Sequence, residues 1–306
     1  MAYTAGDTIL DDEYNTFATG NADGSGSNGT QNLNTLWGTG TGDYGYGETG
    51  SVIAAVSAGA TITATQWETL VGRMETIAAH QGTSVTAVAT ITAGDTIDAI
   101  TTLSNDINTL WTNRMNAAAS GTAITTGGTS TRTAQWAGTG GPQTVNTTQR
   151  VAFASAAAAR YFFNTGGEIH ITMDQPTATT TQSQNWDAIF DTSIGTIKMG
   201  YTGTTRTGSG GTPSTTTGFY DLSGSYATIF EGTNIGSGAY SANDVLVQAK
   251  VSGAVVTFQI TLDDQHTPTA PSAVDTVESG TKADFTVRKS SVYTIATPGF
   301  ATTESF

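Results

Sequence analysis

The sequence predicts an α+β fold: a helical module over residues 1–120, a Gly/Thr-rich linker over 121–149 and an antiparallel β-sandwich over 150–306. Apolar residues recur at spacings of three and four in the first part, which is the period of a helix. From Arg150 the spacing falls to two, the period of a strand with one buried face. Between these patterns the chain is mostly Gly, Thr and Ser, a composition suited to connections.

The helical part carries an internal repeat. Ala5-Gly6-Asp7-Thr8-Ile9 returns as Ala58-Gly59-Ala60-Thr61-Ile62 and as Ala93-Gly94-Asp95-Thr96-Ile97, each time before a helical pattern. Leu33-Asn34-Thr35-Leu36-Trp37 is echoed by Ile107-Asn108-Thr109-Leu110-Trp111. After the second copy, Thr65 and Glu68 have capping-box spacing. Trp67, Leu70, Val71, Met74, Ile77 and Ala78 then form one apolar stripe, and Gly82 is placed for a left-handed C-cap. His80 falls at the end of that helix, which predicts a surface position near the negative end of the dipole.

The sharpest seam is Ile100, Leu103, Ile107 and Leu110, an a/d pattern with Thr96 or Asp98 as its cap and Gly121 beyond its end. It is too short for an isolated coiled coil. It needs either a neighbouring helix or copies of itself, so a core helix and an oligomer seam both satisfy the spacing. The segment Gly20–Gly50 reads as a loop pinned by Trp37, Tyr44 and Tyr46. Its Gly38-Thr39-Gly40-Thr41-Gly42-Asp43 run imitates a phosphate cradle but lacks the lysine that follows a true one.

In the second half, Tyr161-Phe162-Phe163 and Glu168–Met173 read as a hairpin. Ile169, Ile171 and Met173 point inward, His170 points outward, and Arg160 and Glu168 form a cross-strand pair. Asn185–Phe190 reads as helical turns. A clearer hairpin sets Val245, Val247, Ala249 and Val251 against Val256, Phe258, Ile260 and Leu262 around Ser252-Gly253. Further strands are expected at Thr196–Tyr201, Ala227–Phe230, Ala283–Arg288 and Tyr293–Ile295, with a short one near Thr131–Trp136. Phe300 and Phe306 are expected to dock on the sheet or on a neighbouring subunit.

Composition narrows the function. There is no Cys, which removes disulfides and thiolate chemistry. The net charge is −14, and Lys and Arg total only 11, too few for a phosphate-binding surface, so nucleic acid is not an expected partner. No apolar run has the length of a membrane span and no secretory signal is read, so no membrane insertion is expected. Asp263, Asp264 and His266, with Asp275 and Glu278 beyond, are the best group of polar ligands. The carboxylates of this group could bind calcium through their oxygens, but they lack the spacing of a calcium loop, and a solvated loop at a sandwich end is the competing reading. The three His have no nucleophile partner visible in sequence, so no catalytic residue, metal or cofactor is expected. Trp136, Trp186, Tyr201 and Tyr220 would form any sugar-binding platform, with burial as the competing fate.

The order of the AGDTI-type turn plus helix, Asn108–Ala119 (NTLWTNRMNAAA), Arg160–Met173 (RYFFNTGGEIHITM) and Asn243–Asp264 (NDVLVQAKVSGAVVTFQITLDD) carries a resemblance. It resembles virion structural proteins, associated with tail fibre, neck or baseplate, of contractile-tailed phages of cyanobacteria and other marine bacteria. The resemblance implies a non-enzymatic part of the phage particle, a homotrimer that meets other virion proteins. A capsid decoration or head-fibre protein is the alternative place. A carbohydrate-binding or carbohydrate-cleaving module facing a host surface glycan is the alternative function.

Overall fold

A computed structural model describes residues 11–20, 31–48, 50, 52–86, 100–137, 141–267 and 275–306. The chain divides into two compact units. The first is Met1–Ala123 with Arg160–Gly166 and Ser290–Ile295, and the second is Ile124–Ala159 with Gly167–Lys289 and Ala296–Phe306.

The first unit contains α1 (Asp11–Thr19), α2 (Leu33–Trp37), α3 (Ala64–Gln81) and α4 (Ile100–Thr112). These helices are short, and extended backbone runs between α2 and α3. Helix α3 begins with a capping box at Thr63 and Gln66, two residues before the expected Thr65–Glu68 pair. Thr63 has the extended backbone that an N-cap requires, and Thr65 is already helical. The helix ends as expected, with Gly82 at φ 69° and its N–H on the Ala78 carbonyl. Trp67, Leu70, Met74, Ile77 and Ala78 are buried, while Val71 is half-buried. Leu103, Ile107 and Leu110 of α4 are buried within the single chain. The Ile100 side chain lies outside the described residues, as do Thr96, Asp98, loop residues 21–30 and the repeat copies at 5–9 and 93–97. The copy at 58–62 forms a turn, with Gly59 at φ 75° and the Ala60 N–H on the Ser57 carbonyl. The Gly20–Gly50 loop is interrupted by α2, whose N-cap Asn32 accepts from the Thr35 N–H at 2.8 Å.

Among the described residues, side chains join backbone bonds such as Tyr46 N–H to the Leu36 carbonyl in holding the extended backbone of this unit. Asn15 of α1 donates to the Val56 carbonyl at 2.9 Å and accepts from the Val56 N–H at 2.8 Å. Asn34 of α2 does the same to Ile53, at 2.9 and 2.8 Å. Asp106 of α4 accepts from the Thr86 N–H at 3.1 Å.

The second unit holds two antiparallel sheets in a sandwich-like arrangement. One contains β1 (Thr122–Thr131), β10 (Lys282–Ser290), β3 (Glu168–Asp174), β4 (Ile197–Met199) and β5 (Thr204–Arg206), in that spatial order. The other runs β11 (Gly299–Glu304), β2 (Gln143–Ala152), β9 (Val255–Asp264), β8 (Asp244–Ser252), β7 (Ala227–Gly232) and β6 (Thr212–Pro213). The β8–β9 hairpin is as expected: Val245, Val247, Ala249, Val256, Phe258, Ile260 and Leu262 are buried, and Gly253 takes φ 57° in the turn. Near β5 and β6 the sheets connect by backbone, through Thr204 N–H to Ser214 O at 2.8 Å. At the other side side chains connect them: Ser305 donates to the Thr131 carbonyl at 2.9 Å, and Ser130 and Thr147 hydroxyls meet at 2.6 Å.

Three expectations are corrected. The supposed linker 121–149 holds β1 and most of β2. Edge strand β1 needs few apolar residues, and both strands carry several Thr, which suits a sheet, so their composition looks like a connection. The supposed strand at Tyr161–Phe163 lies in helix α5 (Ala156–Asn164), where Ser155 Oγ accepts from the Ala158 N–H at 3.0 Å and the Ala run favours helix. Strand β3 therefore pairs with β10 and β4, and the Arg160–Glu168 pair is replaced: Arg160 donates to the Thr39 carbonyl at 2.9 Å, and Glu168 meets His170 and Arg288. Tyr293–Ile295 is irregular, not a strand. Phe300 docks on the sheet through β11: a Cβ at Gly127 would meet its ring at 2.4 Å, so only glycine fits there. Among the described residues, no helix is long and apolar enough to cross a membrane.

Candidate functional site

The predicted ligand group is dispersed by strand alternation. Asp263 and Asp264 do not form a loop; they end β9 and point to opposite faces. Asp263 lies directly opposite Asp244, a like-charge pairing that is unfavourable by itself. The Gln265 amide relieves it, donating to Asp244 at 2.8 Å and to Asp263 at 3.3 Å. Thr144 adds a bond to Asp263 at 2.6 Å, and the Asn234 N–H one to Asp244 at 2.6 Å. Asp244, Asp263 and Thr144 line, with Glu231, Leu246 and Thr261, a shallow pocket of about 220 Å³ on the outward face of the sheet.

Asp264 is fully buried and accepts from Gln182 at 2.6 Å. Burial pushes its carboxyl up, and the Gln182 bond and the charge of His266 pull it back. Asp275 accepts from the Gln182 N–H at 3.3 Å. Glu278 accepts from the Thr179 hydroxyl and N–H at 2.5 and 2.6 Å, and those bonds hold its carboxyl below the usual range. Each carboxylate thus holds its own neighbourhood together, and the five do not converge on one ion.

Three clusters went unread in the sequence. The first is His170, expected on the surface but only 6% exposed. Its Nε2 meets Glu168 at 2.8 Å, and Arg288 reaches the other carboxylate oxygen at 3.5 Å. Burial works against ionising Glu168, yet the His170 bond and the Arg288 charge outweigh it, and its carboxyl sits below the usual range.

The second is His80, expected on the surface and fully buried, because Tyr46 and Tyr293 cover the last turn of α3 with ring centroids 5.4 and 4.5 Å away. Its Nδ1 lies 3.3 Å from Ser290 Oγ, a Ser–His pair that imitates a nucleophile and its base. The same Oγ accepts from the Val292 and Tyr293 N–H groups at 3.1 and 3.2 Å. Ser290 is buried and caps a turn, so its oxygen is committed to the backbone. The third is Asp174, Asp187 and Asp191, whose oxygens lie within 4.8 Å of one another. They come from β3, a helix α6 (Thr181–Ala188) and the π-helical turn that continues it, and only Asp187 and Asp191, four residues apart, are close in sequence. Lys282 neutralises Asp174 at 3.2 Å, while burial and its two acidic neighbours push Asp187 up.

The remaining predicted residues have structural places. Trp136 and Trp186 are buried against each other, with centroids 5.0 Å apart, and offer no sugar platform. Tyr201 and Tyr220 are half-buried. The glycine-rich run at 38–43 turns its carbonyls to donors: Arg160 donates to Thr39 O at 2.9 Å, and Arg114 Nε to Asp43 O at 3.1 Å. A phosphate cradle would present N–H groups instead. Leu103, Ile107 and Leu110 are already covered in one chain. In comparisons with known proteins, no family model, no curated protein and no solved structure matches this chain.

Proposed function

We propose that this chain is a non-enzymatic structural component of a phage virion, placed at the tail, neck or a fibre attachment, which acts by docking to copies of itself and to other virion proteins. The supporting observation is where its reactive side chains are spent. Ser290 and His80 close a turn, Glu278 holds Thr179, and His170 and Glu168 brace β3 against β10. Among the described residues, the large apolar side chains left for contact are Val52, Ile124 and Val292, exposed by 70, 65 and 46%. In this reading the protein is a homotrimer in the virion that uses no cofactor and binds neither nucleic acid nor membrane. Contact between copies runs through surfaces other than Leu103, Ile107 and Leu110, which are core residues. A capsid decoration or head-fibre protein would act in the same way elsewhere on the particle.

The test is twofold. Antibody labelling of intact particles is expected to place the chain at a tail or neck feature, and its absence from purified particles sinks the reading. Light scattering of the purified protein is expected to give three times the 31.4 kDa chain mass; a monomer mass removes the trimer.

One observation favours a second reading, a module that binds a host surface glycan. The outward pocket brings Thr144, Asp244, Asp263 and Thr261 around Leu246, a set of acceptors about an apolar floor that suits sugar hydroxyls. Incubation with host polysaccharide would decide between them. Binding lost in Asp244→Asn and Asp263→Asn favours the glycan reading, and cleavage would make the chain an enzyme.

A further inference from the structure

The outward face of the six-stranded sheet is polarised along its strands. Inward and outward residues alternate on β8 and β9, and the register lines the outward ones up in rungs across the sheet. At one end, Arg150 of β2 and Lys250 of β8 both stand opposite Thr257 of β9, so two cations share a rung. At the other end, Asp263 of β9 stands opposite Asp244 of β8 and Thr144 of β2. Glu231 of β7, opposite Leu246, adds a third carboxylate one rung back and lines the same outward pocket. On β8 and β9 the rungs between carry Gln248 with Gln259 and Leu246 with Thr261, none of them charged. Glu304 at the β11 edge is taken up by the Thr148 hydroxyl at 3.1 Å.

Neither end is neutralised within the chain. Arg114, Lys282 and Arg288 sit in ion pairs, whereas Arg150 is exposed and meets no carboxylate among the described residues. Lys250 Nζ lies 4.3 Å from the centre of the Tyr226 ring, which carries no charge of its own. No Lys or Arg lines the pocket at the acidic end. Asp244 and Asp263 are held there by the Gln265 amide, the Thr144 hydroxyl and the Asn234 N–H.

The two ends do little for each other in one copy. The chain advances six residues from Thr257 to Asp263, about 20 Å at the rise of a strand. Salt screens exposed charges over about 8 Å at physiological strength. A net charge of −14 also repels copies that meet at random, so only a contact that sets cation on carboxylate is favoured. A second copy supplies both missing counterparts at once, since it carries the same two ends.

We propose that this face is a contact between copies, in which Arg150 and Lys250 of one chain seat on Glu231, Asp244 and Asp263 of the next. The proposal rests on the trimer reading above and names the surface that reading requires. Different patches of the two chains meet, so the contact is heterologous and closes into a ring when the rotation between copies allows it. In a ring of three, every basic end finds an acidic one and neither is left over.

Light scattering of two charge-reversed forms of the full chain is the test. In Arg150→Glu with Lys250→Glu both ends are acidic. In Glu231→Lys with Asp263→Lys the acidic end becomes basic, and Asp244 is kept because it holds the Asn234 N–H. Each variant alone is expected to drop from three chain masses to one, at a concentration where the natural chain is a trimer, with its circular dichroism unchanged. An equimolar mixture of the two is expected to associate again, because acidic ends then face basic ones, and a simple folding defect would not be rescued in this way. Raised salt is expected to weaken both the natural trimer and the mixture. A natural trimer with both variants still trimeric overturns the proposal and leaves the trimer reading standing, with the face open to another virion protein or to glycan. Variants that are monomeric and stay so when mixed also overturn it. A natural chain that is itself a monomer removes the trimer reading, and this contact with it.

Discussion

The two units solve the same problem in different ways. Both contain extended backbone whose N–H and C=O groups need partners. In the sandwich, ladders supply them: β2 pairs with β9 over Gln143–Ala152, and β8 pairs with β9 along its whole length. In the first unit single side chains supply them, as Asn15 holds Val56 and Asn34 holds Ile53. A ladder is redundant, since losing one side chain leaves every backbone bond. A side-chain clamp is not, since losing the amide strands two backbone groups at once. The first unit is therefore expected to be the more sensitive to polar substitution, and the predictions below test that contrast.

The largest effect is expected from Leu103→Asp with Ile107→Asp, which places two carboxylates in a core where the residues are 0 and 5% exposed. Loss of either apolar side chain alone costs about 2–5 kcal/mol, and buried unpaired charge adds more. The first unit is expected to unfold while the sandwich keeps its strand signal in circular dichroism. Preserved helicity with a reduced oligomer mass would instead return these residues to an intermolecular seam.

Next comes Asn15→Ala. Two buried backbone groups at Val56 lose their partners, at about 1–3 kcal/mol each, and denaturant unfolding should register a loss of roughly 2–6 kcal/mol. Asn34→Ala should lose less, because its bonds to Ile53 are only partly buried. Equal, negligible losses would dissolve the contrast between clamp and ladder.

How much of this was legible in the sequence follows the same division. The β8–β9 hairpin was readable because every second residue is apolar and, apart from half-buried Val251, that set is buried. The α3 stripe was readable for the equivalent reason at period 3.6. Strands β1 and β2 were not, because Thr-rich strands gain their bonds from backbone and leave no clear apolar period. Helix α5 was misread because Tyr161, Phe162 and Phe163 favour strands locally, while Ser155 and the Ala run decide the helix. Clamps are harder still: Asn15 and Asn34 look like solvated helix residues until their partners 41 and 19 positions away are known. Of the site, the parity of Asp263 and Asp264 was available from the alternation and overlooked. The Ser290–His80 pair, 210 residues apart, carried no local signal.

A smaller effect concerns acid. The Glu168 carboxyl is held below its usual range, so its ionised form binds its neighbours better in the folded state. Its contribution is fully present above about pH 4.5, the unfolded value, and is lost as pH falls through the lower folded value. Asp264 has the opposite sign: its carboxyl is raised, so stability is lost as pH rises from the unfolded value through the folded one. Glu168→Gln should flatten the acid limb of a melting-temperature profile, and Asp264→Asn should gain on the natural chain as pH rises. Parallel profiles for all three proteins would mean that neither carboxylate is coupled to folding.

The smallest effect is expected at Thr302→Val, and it probes the contrast from the sandwich side. The Thr302 hydroxyl reaches Gln149 at 2.8 Å and the Thr129 carbonyl at 3.3 Å, so it links the exposed edges of the two sheets as Asn15 links α1 to Val56. The circumstances differ in two respects. Strand β11 keeps its backbone pairing with β2 from Gly299 to Glu304 whatever side chain stands at 302. The residue is also exposed, so water can replace the lost hydroxyl at the Thr129 carbonyl. Valine keeps the shape and the preference for strands. The net worth of such a bond is about 0.5–1 kcal/mol at most, and denaturant midpoints should barely separate the variant from the natural chain. A loss above about 2 kcal/mol, in the range set for Asn15→Ala, would mean that side-chain links between sheet edges hold the sandwich as firmly as clamps hold the first unit. The difference between ladder and clamp would then lie in appearance and not in energy.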